Sequence, residues 1–167
     1  YYCEECEDVG EAKSVYKGYK RAEVADEQLY QEAVDEWERR TDLHEYVPSE
    51  EIPEGAITAA SSLSGNDVFQ HGYEQWKEMF NRRQLLSLSK LLKSISSFTN
   101  KNIKEYLILV FSETLNYVNS MSIYQPSTQK GVNIFKSNSF DPPSRPIENN
   151  PWGTEWGAGN FQAMYNM

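Results

Sequence analysis

The stretch FNRRQLLSLSKLLKSISSFTNKNIKEYLILVFSETLNYVNSM, residues 80–121, decides the fold that the sequence predicts. Asn81 is a residue type that commonly caps helix N-termini, and Gln84 follows three positions later, which is the spacing of a capping box. Phe80 and Leu85 flank this pair at the positions of a hydrophobic staple. Together these residues predict that a helix begins immediately after Asn81.

Two helices are predicted from the spacing of apolar residues in this stretch. Leucine and isoleucine recur every three or four positions over residues 82–97, and a second apolar set follows helical spacing over residues 101–121. Residues 98–100 interrupt the pattern and leave only a short loop between the two helices. Because helices joined by a short loop pack as antiparallel neighbours, we expect this pair to form the core.

An acidic helix is predicted upstream of this pair. The run EVADEQLYQEAVDEWERR, residues 23–40, is rich in helix-forming residues. Leu29, Ala33 and Trp37 fall at intervals of four and give a narrow apolar stripe, so we expect a surface helix with one docked face.

Irregular segments are predicted on both sides of the helix pair. Residues 41–70 hold proline, glycine and many serine and threonine residues, which are typical of a flexible connector. Beyond Tyr124 several prolines exclude a long helix, and we expect a short strand near residues 132–135 and a helix start after Gly157. The predicted fold is therefore mainly α, with an antiparallel helix pair, an acidic outer helix, a long irregular C-terminal segment and minor β structure.

The net charge of −9 is unevenly distributed along the chain. Residues 1–56 carry 17 acidic and 6 basic residues, whereas residues 57–167 carry 8 and 10, so the two parts contribute −11 and +2. The acidic part should repel phosphates, which makes the isolated chain a poor nucleic-acid binder. No apolar run approaches the roughly 18–20 residues of a membrane span, and we expect a cytoplasmic protein without a membrane partner.

Cys3 and Cys6 form a Cys-x2-Cys pair at the start of the sequence. A structural zinc site needs four ligands, and two thiolates at this spacing supply half of them. We expect these two residues to bind zinc together with ligands outside this sequence. The chain is thus predicted to be an internal fragment of a longer protein.

Three blocks of sequence, taken in order, resemble one protein family. They are HGYEQWKEMFNRRQLL (residues 71–86), YLILVF running into LNY (residues 106–117) and ENNPWG (residues 148–153). They are similar to the central region of the prokaryotic adenine-specific DNA methylases that contain a zinc ribbon, the DUF1156 group. The resemblance covers most of residues 65–160, and Arg82 departs from it where the family usually has proline.

This resemblance implies that the chain is part of a larger α/β methyltransferase, which transfers a methyl group from S-adenosylmethionine to the N6 atom of adenine in DNA. It also implies zinc as a structural ion, with DNA and the remaining methyltransferase domain as partners. The family's glycine-rich cofactor loop and its D/N-P-P-Y motif are missing here, so no catalytic or cofactor-binding residue is assigned. The run DPPS at residues 141–144 does not replace that motif, because serine cannot stack on a flipped base.

Four residues are candidates for contact with the substrate. Arg83 can pair with a phosphate or a carboxylate, and its alternative is a surface or ion-paired residue at a helix start. Asn149, Asn150 and Trp152 form a second candidate surface, on which the indole can stack with a base. The alternative is that these loop residues anchor the irregular segment onto the helix pair.

Two other functions are compatible with the sequence. One is a non-catalytic helical module that binds another protein through its acidic helix and aromatic loops, and the other is a fragment of an RNA methyltransferase.

The resemblance to the methylases predicts three parts in the chain. They are the C-terminal half of a zinc ribbon (residues 1–21), the acidic helix and connector (residues 22–70) and a helical methyltransferase-associated region (residues 71–167).

Overall fold

Helices dominate the described part of the chain, so the predicted mainly α class is confirmed. The computed structural model describes residues 21–55, 58, 68–125, 130–134, 147–153 and 159–166. Its α-helices are α1 (Val24–Arg39), α2 (Arg82–Ser96), α3 (Lys101–Leu115) and α4 (Phe161–Tyr165). Its 3₁₀ helices span Thr41–Tyr46 and Trp76–Met79, and its strands are β1 (Ile123–Gln125) and β2 (Lys130–Val132).

The N-terminus of α2 is held by the predicted capping box. The Asn81 side-chain oxygen accepts a hydrogen bond from the Gln84 backbone N–H at 2.9 Å, and Gln84 Oε1 accepts one from the Asn81 N–H at 2.9 Å. Phe80 packs against the cluster that contains Leu85, as expected for a hydrophobic staple. The helix therefore begins where the sequence predicts, and it ends at Ser96, one residue before the predicted end.

Helix α3 begins as predicted but is shorter than predicted. The Asn100 side-chain oxygen caps it by accepting a hydrogen bond at 3.1 Å from the N–H of the third helical residue. The prediction of a helix over residues 101–121 is wrong at its C-terminal end, because α3 ends at Leu115. Asn119 Oδ1 accepts a hydrogen bond from the Met121 N–H at 2.9 Å, and such local side-chain bonds compete with helical hydrogen bonding.

Three clusters of buried apolar residues form the core. The first joins α2 to α3 and consists of Leu88, Leu91, Ile95, Leu107, Phe111 and Val118. The second joins α1 and the 3₁₀ helix after it to α2 and consists of Trp37, Leu43, Leu85 and Leu86. The third consists of Ile52, Val68, Met79, Met121 and Ile134. The Phe80 side chain packs against all three clusters and so connects them.

Helix α1 docks on α2 through its C-terminal half. Trp37 is buried, and Ala33 packs against the same cluster, as the predicted stripe requires. Leu29 does not belong to this face, because it is 61% exposed, and this part of the predicted stripe is wrong. A spacing of four overshoots the 3.6-residue helical turn, so Leu29 lies roughly 80° around the helix from Trp37.

The predicted connector, residues 41–70, contributes buried apolar side chains from its described residues. Leu43 is completely buried against α1 and α2, with 0% exposure. Ile52 and Val68 both lie in the third cluster. The Ile52 N–H also donates a hydrogen bond to the Glu74 carbonyl at 2.8 Å. This segment therefore supplies core residues in addition to linking α1 to α2.

Strands β1 and β2 form a small antiparallel sheet after α3. Ile123 lies opposite Val132 in the register of this pair. Strand β2 begins two residues before the predicted strand at residues 132–135, so the prediction of minor β structure in this region is confirmed with shifted bounds. The Ile134 N–H donates to the Asn116 carbonyl at 2.8 Å, which returns the chain to the end of α3.

Helix α4 is short and packs on α3. The Asn160 side-chain oxygen caps it by accepting from the Ala163 N–H at 2.8 Å. Tyr106 of α3 and Tyr165 of α4 meet edge to face, with their ring centroids 6.0 Å apart. None of the helices within the described ranges is both long and apolar enough to cross a membrane.

Truncation of the fully buried Leu43 should destabilise the protein. Leu43→Ala removes apolar contacts and leaves a cavity, so we expect the free energy of unfolding to fall by about 2–5 kcal/mol. Leu29→Ala is the matched control, because it shortens a largely exposed leucine and should change the free energy by less than about 0.5 kcal/mol. Urea titrations followed by circular dichroism measure both values. Equal losses in the two variants would show that Leu43 is not a core residue.

Candidate functional site

The candidate site lies where the first turn of α2 meets residues 147–153. Arg83 projects from that turn and contacts Glu148, the residue directly before the predicted loop surface. The Ile147 N–H donates to the Ser122 carbonyl at 3.2 Å, which ties this segment to the start of the small sheet. The structure thus brings Arg83 next to the segment that carries the other three candidate residues.

The Arg83 guanidinium contacts a carboxylate and an aromatic ring. Its Nε and Nη2 atoms donate to the two carboxylate oxygens of Glu148 at 2.8 and 2.7 Å, a bidentate geometry that favours specific pairing. Its Cζ atom lies 5.1 Å from the centroid of the Tyr30 ring in α1, within the range of a cation–π interaction. Arg83 therefore links α1, α2 and residues 147–153.

Asn149 and Asn150 use their side chains to shape the segment that carries them. Asn149 Nδ2 donates to the Gly159 carbonyl at 3.1 Å. Asn150 Oδ1 accepts from the N–H groups of Trp152 at 3.0 Å and Gly153 at 3.4 Å, an arrangement typical of an Asx turn. Trp152 is 47% exposed. The segment therefore presents an exposed indole beside two asparagines that stabilise the loop.

Gly159 lets the chain lie against the residues that follow α3. Its φ of +79° lies in the left-handed region, and a Cβ atom on it would lie 2.5 Å from Tyr117 Cγ. Glycine is therefore favoured by both the backbone conformation and the close approach to the ring. Because Asn149 bonds to the Gly159 carbonyl, this contact also fixes the loop relative to Tyr117.

All four basic residues of α2 are paired with carboxylates. The pairs are Arg82 with Glu38 (3.3 Å), Arg83 with Glu148 (2.7 Å), Lys90 with Glu36 (2.6 Å) and Lys93 with Asp42 (2.6 Å). Three of these carboxylates come from α1 and the 3₁₀ helix after it. These carboxylates therefore neutralise the basic side chains of α2. Helix α2 does not offer an unpaired basic surface to the phosphates of a nucleic acid.

Sequence reasoning missed these acidic partners. Glu148 lies 65 residues from Arg83, and Asp42 lies 51 residues from Lys93, so no local spacing connects them. One signal was present, namely the opposite net charges of residues 1–56 and 57–167, which favour contact between the two parts of the chain.

Neighbouring cations lower the pKa values of two carboxyl groups at this interface. Arg40 donates to both oxygens of Asp42 at 2.7 and 3.0 Å, and Lys93 donates at 2.6 Å. These hydrogen bonds, that from Arg40 first, hold the pKa of Asp42 well below its usual range. A hydrogen bond from Lys90 likewise lowers the pKa of Glu36. Both carboxylates therefore stay charged to lower pH in the folded protein than in the unfolded chain.

Gln84 carries a buried hydrogen-bond donor without a partner. Its Oε1 atom serves the capping box, and Ser120 Oγ donates to the same oxygen at 3.5 Å. Its Nε2 atom is buried and makes no hydrogen bond. Gln84 therefore uses its side-chain oxygen for the helix start, while its amide nitrogen has no protein partner among the described residues.

The predicted zinc ligands Cys3 and Cys6 lie outside the described residues, as does the DPPS run at residues 141–144. In the ranges that the structure describes, no group of three or more histidine, cysteine, aspartate or glutamate side chains is arranged to hold a metal ion. The zinc ribbon therefore stays a prediction from the sequence.

Comparison with known proteins adds no family to this description. No protein-family model, no curated protein and no solved structure matches this chain. The resemblance to adenine-specific DNA methylases therefore rests on the three sequence blocks, and the function is a proposal.

Acid should destabilise the protein in part through Asp42. Because the folded-state pKa of Asp42 is lower than its unfolded value near 4, its contribution to stability is present above that pH and is lost as the pH falls. We expect Asp42→Asn to lower stability at pH 7 and to reduce the further loss below about pH 4. Urea titrations at several pH values measure both effects.

Glu32→Gln is the matched control for this experiment. It removes an acidic group from the exposed side of α1 and leaves the Asp42 pairs intact. If both variants show the same dependence of stability on pH, the Asp42 pairs do not contribute to acid sensitivity.

A double-mutant cycle should detect the pair between Arg83 and Glu148. Its bidentate geometry and partial burial predict a coupling free energy of about 1 kcal/mol between Arg83→Ala and Glu148→Ala. The same cycle on Lys101 and Glu105, whose atoms are 3.7 Å apart and highly exposed, should give a smaller coupling. Equal coupling in the two cycles would show that the Arg83 pair has no special role in holding residues 147–153.

Proposed function

We propose that this chain is a non-catalytic, structural part of an S-adenosylmethionine-dependent methyltransferase that acts on the N6 atom of adenine in DNA. One observation carries the proposal: the three sequence blocks that resemble the adenine-specific methylases pack into a single unit. These blocks, residues 71–86, 106–117 and 148–153, lie far apart in the chain. Blocks that share a structural role have to lie close together in the folded chain, and the proximity of these three blocks supports such a role.

Specific contacts join the three blocks. Arg83 of the first block forms the bidentate pair with Glu148 of the third. The Ser120 N–H, just after the second block, donates to the Met79 carbonyl of the first at 2.7 Å. The chain that follows the third block lies against Tyr117 of the second. Each block therefore has a contact to the other two, directly or through adjacent residues.

In this proposal the reacting groups belong to the rest of the enzyme. S-adenosylmethionine supplies the methyl group, and no residue of this chain is assigned to binding it. Cys3 and Cys6 supply two of the four ligands of a structural zinc ribbon. The described residues support the surface on which the substrate is held.

Trp152 is the residue that we propose to face the nucleic acid. Methylation of adenine in duplex DNA requires the base to leave the helix, and extruded or unpaired bases stack on aromatic side chains. The Trp152 indole is exposed on a loop that Asn149 and Asn150 stabilise. Arg83 holds Glu148 at the base of this loop, so Arg83 acts in the proposal as a positioning residue.

The experiment uses the full-length protein encoded by the source gene. We expect it to form N6-methyladenine in DNA when supplied with labelled S-adenosylmethionine. Stacking of one base on an aromatic side chain is worth about 1–3 kcal/mol, so Trp152→Ala should lower kcat/KM for DNA by about 5- to 150-fold. The matched control is Phe98→Ala, which removes an aromatic ring of almost equal exposure (46%) next to α3.

Four outcomes would contradict parts of the proposal. Methyl transfer by the 167-residue chain alone would show that it is catalytic. Transfer to RNA and not to DNA would favour the RNA methyltransferase. Absence of transfer to both nucleic acids would exclude the methyltransferase function. Equal activity of Trp152→Ala and Phe98→Ala would remove Trp152 from the substrate surface.

A further inference from the structure

Tyr30 brings helix α1 into contact with the pair formed by Arg83 and Glu148. The Arg83 Cζ atom lies 5.1 Å from the centroid of the Tyr30 ring, while the same guanidinium donates to both carboxylate oxygens of Glu148. A guanidinium over an aromatic face is attracted by the ring and loses part of its freedom to rotate. The ring therefore favours the side-chain orientation in which Arg83 meets Glu148.

The docking of α1 determines where Tyr30 lies. Tyr30 and Trp37 are seven residues apart, which is close to two helical turns, so their side chains leave α1 within about 20° of each other. Trp37 is buried in the cluster shared with α2, and Tyr30 is half-buried on the same side of α1. Burial of Trp37 therefore turns the Tyr30 ring towards α2, where Arg83 projects from the first turn.

The first half of α1 has fewer buried contacts than the second. Trp37, the buried residue of α1, lies in the last turn of the helix. Val24 and Leu29, in the first half, are 69% and 61% exposed. A helix end with few buried apolar contacts opens more readily than the core of a fold. The contact between Tyr30 and Arg83 can therefore change while the apolar core stays intact.

We propose that Tyr30 is a positioning residue for residues 147–153, so that the docking of α1 sets how firmly the loop with Trp152 is held. Its role towards a substrate rests on the proposed function, in which Trp152 stacks on a base. The coupling between Tyr30 and the loop does not rest on that function, because it is a property of the folded chain. Arg83 is the connecting residue in both cases.

Hydrogen exchange measured by NMR tests this coupling. The N–H groups of Ile147, Trp152 and Gly153 donate hydrogen bonds, so their exchange rates report how often the segment opens. Tyr30→Ala should raise these rates about 2- to 5-fold, the factor that corresponds to the loss of one exposed cation–π contact. Tyr30→Phe keeps the aromatic face and should leave the rates close to those of the unsubstituted chain. Leu29→Ala, at the preceding and exposed position of α1, should also leave them unchanged.

A second comparison tests whether Arg83 is the connection. In a chain that carries Arg83→Ala, Tyr30→Ala should have no further effect on exchange in residues 147–153, because the guanidinium that contacts both partners is absent. Thermal unfolding followed by circular dichroism establishes that each variant is folded.

The activity of the full-length protein tests the positioning role. Tyr30→Ala should lower kcat/KM for DNA about 2- to 5-fold. It should cause no further loss when Trp152→Ala is already present, because Tyr30 acts through the loop that carries Trp152. A residue that only stabilised the fold would lower activity by the same factor in both backgrounds. The conservative variant Tyr30→Phe should retain the activity.

The outcomes separate this inference from the proposed function. Unchanged exchange in Tyr30→Ala would overturn the coupling, as would an equal effect of Leu29→Ala. An effect of Tyr30→Ala that persists in the Arg83→Ala chain would contradict the connection through Arg83. An equal loss of activity from Tyr30→Ala with and without Trp152 would reject the positioning role. If the unsubstituted full-length protein transfers no methyl group, the proposed function fails, and the exchange rates still decide the coupling.

Discussion

The packing of Phe80 against all three apolar clusters is the interaction on which the rest of the structure depends. Among the described apolar residues, Phe80 alone belongs to more than one cluster. It directly precedes Asn81, so the side chain that connects the clusters also sets the angle at which the chain enters α2. Loss of a residue such as Leu43 weakens one cluster, whereas loss of the Phe80 ring removes packing from all three clusters at once.

Charge pairing determines how the acidic part of the chain packs on this core. Burial of Trp37 and Leu43 supplies the main driving force for docking α1, because exposed ion pairs contribute little net stability. The pairs with the cations of α2 instead select which side of α1 faces α2. The same pairing removes α2 as a basic surface, which leaves the exposed indole of Trp152 as the more suitable contact for a nucleic acid in the proposed methyltransferase.

Features that depend on neighbouring residues could be predicted from the sequence, and features that depend on distant residues could not. The Asn81 capping box and the Asn100 cap involve groups three residues apart, so both helix starts follow from local pattern. The exposure of Leu29 depends on the rotation of α1 about its own axis where it packs on α2. The spacing of apolar residues in the sequence does not specify this rotation. In the candidate site, the sequence and the resemblance selected Arg83 and the loop separately. Their connection through Glu148 spans 65 residues and required the folded chain.

The ion pairs between α1 and α2 also specify the position of α1 along the axis of α2. A shift of α1 by one turn moves its side chains by about 5.4 Å along α2, which is far enough to separate Glu36 from Lys90. In one direction this shift brings Arg40, four residues after Glu36, towards Lys90, where like charges repel. In the other direction it withdraws Asp42 from Lys93. The charge pattern therefore specifies one position of α1 along α2, because a shift by a whole turn loses pairs that the observed position makes.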